Sequence, residues 1–269
     1  MRIESITSAQ NPKIRLLLDL QEKSRTRREN GLFVVEGRRE IRHCIESGFK
    51  VRTVFCCPDI ISGKELGEIA GECGDRTAVI SVSAGVYDRI ACRKGTEGLV
   101  AEVEMKPARL EDLRLRESPL VVVLESVEKP GNLGAVLRSA DAADADAVII
   151  CDPLTDIYNP NLIRASIGAV FTVPVAAASS EDTVKWLKTN NIKILTAQLQ
   201  DSEWYYDTDM TCGTALVMGT EAEGLTDIWR RNADAHIKIP MLGKLDSLNV
   251  SVSAAILMFE AVRQRNTDK

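Results

Sequence analysis

The chain has 269 residues, 45% hydrophobic and 27% charged, with a formal net charge of −5. That length holds one large or two modest domains with real cores, and that composition excludes disordered and collagen-like classes. No apolar run reaches the ~18 residues of a membrane-spanning helix, and the N-terminal MRIESITSAQNPKIR lacks the apolar stretch of a secretory leader. Seven scattered cysteines, an odd number, read as reduced thiols in a cytoplasmic protein. With two histidines and no CxxC, no metal site is expected. The charge is unevenly spread. Residues 1–52 carry 12 Lys and Arg against 7 Asp and Glu, leaving 22 basic against 32 acidic residues beyond them. A basic end on an acidic body suits a region that meets an anion such as nucleic acid. Its densest part holds Lys23, Arg25, Arg27 and Arg28, followed by Arg38, and these five are the candidate nucleic-acid contacts.

In chain order, LFVVEG (32–37) reads as a strand and turn, RREIRHCIESG (38–48) as an amphipathic helix and VRTVFCC (51–57) as a second strand. VISV (79–82) and LVAEVE (99–104) complete a small α/β unit. The charged, proline-flanked MKPARLEDLRLRESP (105–119) then reads as a boundary. It divides a domain at 1–104 and a linker at 105–118 from a domain at 119–269. In the second domain LVVVLE (120–125), AVIIC (147–151), IKILTA (192–197), TALVMG (214–219) and HIKI (236–239) alternate with helical segments. Short β-branched runs separated by helices indicate a mostly parallel sheet covered by helices.

Ligands of such sheets gather beyond the carboxyl ends of strands, and three segments lie there. In EKPGNLGAVLRSADAADADAV (128–148), Pro130 and Gly131 make a turn, Asn132 is placed to cap the following helix, and Arg138 lies in its second turn. In VMGTEAEGL (217–225), Gly219 allows close backbone approach, Gly224 allows a positive φ, and Glu221 supplies a carboxylate. In IPMLGKLDSLNVSVS (239–253), a strand-like alternation runs into an apolar stretch. From Ser251 to Arg265 that stretch holds about four turns without Gly or Pro, too long for a typical strand. It is therefore a helix capped by Asn249 or Ser251, with Arg263 and Arg265 at its C-terminal end. Neither GxGxxG nor GxxxxGK[ST] occurs, so the dinucleotide and P-loop fingerprints are missing.

Together the three segments resemble the three motifs of the SpoU/TrmH (SPOUT) family of S-adenosylmethionine-dependent RNA ribose 2′-O-methyltransferases. The first matches at Asn132, Gly134 and Arg138; the second at Gly219, Glu221, Gly224 and Leu225; the third at Ile239, Pro240, Met241, Ser247, Leu248, Asn249 and Ser251. FVVEGRREIRHCIESGFKVRTVF (33–55) is similar to the small substrate-binding domain of many members, which is related in fold to RNA-binding ribosomal proteins. The resemblance implies an α/β chain. A small ribosomal-protein-like RNA-binding domain would precede a parallel-sheet methyltransferase domain whose C-terminal segment forms a trefoil knot. It implies S-adenosylmethionine as cofactor, held by the backbones of Gly219, Ile239 and Leu248 with Met218 and Met241 beside the adenosine.

The implied substrate is structured RNA, ribosomal RNA before transfer RNA; a catalytically inactive RNA-binding protein of the same fold is the alternative. The resemblance puts Arg138 near the ribose hydroxyl and its adjacent phosphate, with Asn132, Glu221, Ser247 and Asn249 fixing the arginine and the ribose. A guanidinium with a pKa above ~12 is a poor base, so orientation and charge stabilisation suit Arg138 better. AAILMFEAV (254–262) contains a single charge, so both helix faces need cover. One face would pack on the sheet and the other on a second copy, and a charge at Met258 would test that contact. A homodimer through this region is what the family resemblance implies as well.

Overall fold

The computed structural model describes residues 4–92, 97–153, 156–220, 223–245 and 247–266. They fall into two units, Met1–Pro107 with Asp156–Thr172, and Ala108–Thr155 with Val173–Lys269.

The first unit runs β1 (Glu4–Ile6), α1 (Pro12–Glu22), α2 (Ser24–Asn30), β2 (Leu32–Glu36), α3 (Arg38–Glu46), β3 (Val51–Cys56), α4 (Gly63–Cys73), β4 (Ala78–Val82), α5 (Ala84–Ile90) and β5 (Leu99–Glu104). Its strands order as β1-β4-β3-β5-β2, parallel from β1 to β3 and antiparallel around β5. Local signals set the helices. Asn11 accepts from the Lys13 amide ahead of Pro12, and Ser62 with Glu65 forms a reciprocal capping box. Ile14, Leu17 and Leu20 recur at helical spacing, so α1 buries one stripe against Leu32, Val34, Phe55 and Ile80.

A piece of the later sequence completes this unit. Residues 156–172, with α7 (Pro160–Ala165) and α8 (Ala169–Thr172), follow the strand read at 147–151, yet they pack here. Tyr158 stacks on Phe33 at 4.4 Å between ring centroids, and Phe171 lies 5.8 Å from the same ring. Tyr158 Oη also donates to the Lys106 carbonyl at 2.9 Å. The aromatic face of β2 explains the docking, because alone it would leave Phe33 in water.

The second unit contains β6 (Leu120–Glu125), α6 (Pro130–Ala142), β7 (Ala147–Cys151), β8 (Val175–Ala178), α9 (Ser180–Thr189), β9 (Lys193–Ala197), β10 (Glu203–Trp204), β11 (Thr214–Met218), α10 (Asp227–Asn232), β12 (Ala235–Lys238) and α11 (Val250–Arg265). Its seven strands order as β10-β12-β9-β11-β6-β7-β8, and every pairing is parallel. β6, β7 and β11 are buried along their full length, as continuous apolar runs require when helices cover both faces. The stretch read as a linker is packed. Leu110 joins the core, Leu113 and Leu115 lie against it, and Arg116 is held by Asp144 and Asp146. Leucines every two or three residues inside a charged segment give it an apolar side that the composition alone conceals.

α11 closes this unit, packing on α6, β6 and β11. Its last turn is pinned by Arg265, whose guanidinium donates to the carbonyls of Met210, Ser118, Pro119 and Cys212 at 2.7–3.1 Å. Arg263 instead pairs with Glu260. Met258 is fully buried inside its own chain, so a charge there would break this packing and could not report on an interface. The uncovered apolar residues of α11 are Val252 and Phe259, 45% and 47% exposed and two turns apart.

Candidate functional site: a cavity at the carboxyl ends of three strands

β9, β11 and β12 end at one cavity of about 320 Å³, the lower end of the range for small-molecule sites. Met218, Gly219, Ile239, Met241 and Leu248, the five residues that the resemblance assigns to a cofactor, all line it. Ser247, Leu225 and Ser253 line it too, as do Gln198, Leu199 and Gln200 just past β9. The last three were missed in the sequence, although the carboxyl-end rule applied to IKILTA points straight at them.

Local geometry explains the glycines. After β11, Thr220 and Gly224 form an antiparallel bridge, with the Gly224 amide donating to the Thr220 carbonyl at 3.0 Å and the Glu223 amide to Thr220 Oγ1 at 3.0 Å. Gly224 has a φ of +68°, the left-handed conformation that favours glycine. A Cβ on Gly219 would lie 2.1 Å from the Gly224 carbonyl oxygen and 2.7 Å from the Leu225 nitrogen. The expected reason for Gly219 was close approach by a ligand. The space is taken by the chain's own backbone, so the glycine shapes the wall of the cavity.

Asn249 caps α11, its Oδ1 accepting from the Ser251 amide at 3.0 Å and the Ser251 hydroxyl at 2.6 Å. Its Nδ2 donates to Asn132 Oδ1 at 3.0 Å, which joins the first and third motifs. Asn132 is not a helix cap. α6 starts two residues earlier, with Pro130 in its first turn and Lys129 at the cap, because proline is pre-set for that position. Arg138 projects from α6 as an exposed residue and is not among those lining the cavity; neither are Asn132 and Asn249. Glu221 lies outside the described residues.

The basic cluster of the first unit divides. Arg27 is 2% exposed: its Nε donates to Asp156 at 2.7 Å and its Nη1 to the carbonyls of Leu20 and Gln21. It cannot reach a phosphate, and its expected RNA contact is corrected to a structural one, tying the end of α1 to the 156–172 segment. Lys23 and Arg25 are exposed and pair with Asp19 and Glu29 one turn away, while Arg28 is exposed with no ion pair among the described residues. Arg38 is half-buried between Glu65 and Glu97. Among the described residues no cluster of His, Cys, Asp and Glu could hold a metal, and no helix is long and apolar enough to cross a membrane.

The comparisons with known proteins cover both units. Residues 119–259 match the model of the SpoU rRNA Methylase family, and residues 11–101 match that of an MRM3-like substrate binding domain. The 23S rRNA (uridine(2479)-2'-O)-methyltransferase of Streptomyces viridochromogenes is 32% identical over 245 residues, covering 87% of this chain and 84% of its own. The 23S rRNA (guanosine-2'-O-)-methyltransferase RlmB of Escherichia coli K12 is 39% identical over 178 residues, 63% of this chain and 72% of its own. A crystal structure of an AdoMet-bound rRNA methyltransferase from Sinorhizobium meliloti superposes with a TM-score of 0.89 at 30% identity, over 97% of this chain and 98% of that one. The chain belongs to the SpoU rRNA methylase family.

Proposed function

We propose that this protein transfers a methyl group from S-adenosylmethionine to a ribose 2′-hydroxyl of ribosomal RNA. The observation that carries the proposal is the convergence of Met218, Gly219, Ile239, Met241 and Leu248, from two separate motifs, on one cavity at the carboxyl ends of parallel strands. The names of its relatives supply the reaction and the substrate class.

The residues fit the cofactor. Methionine, isoleucine and leucine side chains with a bare glycine suit a flat base against close-packed backbone, with Ser247 and Ser253 as polar groups at its edge. Bound there, the cofactor supplies an electrophilic methyl group. The protein's own part is orientation and charge. Arg138 holds the phosphate beside the target nucleotide and stabilises negative charge developing on the ribose oxygen. Asn132, steered by Asn249, and Ser247 orient the ribose and the arginine; Glu221 joins this set on the strength of the resemblance. In the first unit Lys23, Arg25 and Arg28 offer cations to RNA phosphates. Their helix-surface ion pairs are weak enough to open.

The same reading makes the protein a cytoplasmic homodimer. Arg138 is not among the residues that line the cavity of its own chain, and α11 leaves Val252 and Phe259 uncovered. A second copy placed on that face would cover both and could bring Arg138 to the neighbouring cavity. The trefoil knot belongs to this reading too; it is supported by the insertion of β11 between β6 and β9 and the return of α11 onto β11 and α6. Mapping of ribose methylation in ribosomal RNA from a strain lacking the gene tests the function. One 2′-O-methyl nucleotide should disappear and return with the intact gene. A complete, unchanged methylation map would reject ribosomal RNA as the substrate.

A further inference from the structure

The carboxyl end of β6 holds a buried carboxylate that no motif names. Glu125 is 3% exposed and both its oxygens are engaged. Oε2 accepts from the Thr226 amide at 2.8 Å, and Oε1 accepts from the Thr226 hydroxyl at 2.6 Å. Ser180 Oγ lies 3.1 Å from Oε1 and 2.6 Å from Asp152 Oδ2, and it accepts from Trp229 Nε1 at 3.1 Å. A hydroxyl has one hydrogen, so Ser180 serves one carboxylate at a time. The firm partner of Glu125 is therefore Thr226, gripped at two atoms by one anion.

Thr226 directly follows Gly224 and Leu225, which line the cavity. Gly224 in turn presses its carbonyl against the α-carbon of Gly219. The turn between β11 and α10 is thus fixed at both ends: by the glycine contact where it leaves the sheet, and by Glu125 where it enters α10. A neutral side chain could cap a helix start without the cost of burying a charge. Charge-assisted bonds to an amide and a hydroxyl of the same residue give a stiffer hold than a neutral acceptor would.

We infer that Glu125 is a positioning residue for the cofactor: through Thr226 it sets the position of Leu225, Gly224 and Gly219, the part of the cavity wall against which S-adenosylmethionine binds. The inference rests on the proposed function of the cavity. It places on β6 a determinant of cofactor affinity that touches neither cofactor nor RNA.

The experiment uses the full chain, with S-adenosylhomocysteine titrated by calorimetry and turnover measured on ribosomal RNA. Wild type comes first; absence of binding there would reject the cofactor reading itself and say nothing of Glu125. Given wild-type binding, Glu125→Gln should raise the Kd and the KM for S-adenosylmethionine at least tenfold while kcat at saturating cofactor stays within about threefold. Ile149→Ala, in the same core but contributing no side-chain hydrogen bond to the network, controls for lost stability and should leave the Kd within twofold. If Glu125→Gln does not fold, Glu125→Asp decides, since it keeps the charge and withdraws it by one methylene; a threefold or greater rise in Kd is expected. An unchanged Kd in the folded Glu125 variant, or an equal rise in Ile149→Ala, would overturn the inference and leave Glu125 a purely structural acid.

Discussion

Asn249 Nδ2 donates to Asn132 Oδ1 across 3.0 Å, joining residues 117 positions apart in the sequence. The same Asn249 side chain caps α11 through its oxygen, so one amide both starts the C-terminal helix and orients a residue of the first motif. The two tasks can be separated by substitution. Asn249→Ala should lose roughly 1 kcal/mol of stability with the cap and more than tenfold in turnover. Asn249→Ser can still cap but is too short to bridge to Asn132. It should recover most of the stability in a denaturant melt and little of the turnover. Full turnover in the serine variant would reduce Asn249 to a helix cap.

Arg138 stands exposed and outside the cavity lining. Arg138→Ala should cost at least about 100-fold in methyl transfer, the range for removing one charge-stabilising donor, with cofactor affinity within a few-fold of wild type by calorimetry. A large loss of affinity would move Arg138 to the cofactor side. Subunit mixing tests the dimer. If the site is shared, Arg138→Ala chains mixed with Gly219→Ala chains at cofactor concentrations too low for the latter to turn over should regain activity, because one hybrid site is intact. No recovery after demonstrated subunit exchange would show that each chain works alone.

Gly219→Ala is expected to act on the fold of the turn. Its Cβ would meet backbone atoms 2.1–2.7 Å away, which cannot swing aside as a flexible side chain could. Overpacking of this kind costs about 1–3 kcal/mol, and the displaced turn should weaken cofactor binding more than tenfold. Normal affinity in a variant of normal stability would show that the turn yields freely.

Asp146 gives a pH test. Its carboxylate is buried and accepts from the Leu120 amide at 2.8 Å and from the amide, Nε and Nη2 of Arg116 at 2.8–3.0 Å. Burial alone would raise its pKa, but the bonds from Arg116 and Leu120 outweigh it and hold the group below the usual aspartate value of 3.8. A depressed folded pKa means stability that is fully present above the ordinary value and lost as pH falls through the folded one. Asp146→Asn should therefore cost roughly 2 kcal/mol at pH 7, with the gap from wild type closing below about pH 4. A gap independent of pH would show that the carboxylate's charge contributes nothing.

Most of the elements were legible in the sequence because buried parallel strands are written as continuous β-branched runs. LVVVLE and AVIIC match β6 and β7 residue for residue. The three residues of β1 and the short VAAA of β8 carry too little pattern to be seen. The cavity residues came from motif resemblance, while the packing of Gly219 on Gly224 was not legible, since backbone crossing backbone leaves no trace in a single sequence. Arg27 failed as a surface cation for a similar cause. Within KSRTRRE nothing separates it from its neighbours, and only Asp156, 129 positions away, reveals why it is buried. Glu125 was read as the last residue of a strand, for its partner Thr226 lies 101 positions on.

The central claim is a transfer from S-adenosylmethionine to a ribose oxygen. The most direct measurement incubates the purified chain with ribosomal RNA and methyl-tritiated S-adenosylmethionine, digests the RNA to nucleosides and separates them. The expected result is label in one 2′-O-methyl nucleoside, absent with Arg138→Ala. Label on a base, or none from wild-type protein that binds the cofactor and RNA lacking the modification, would contradict it.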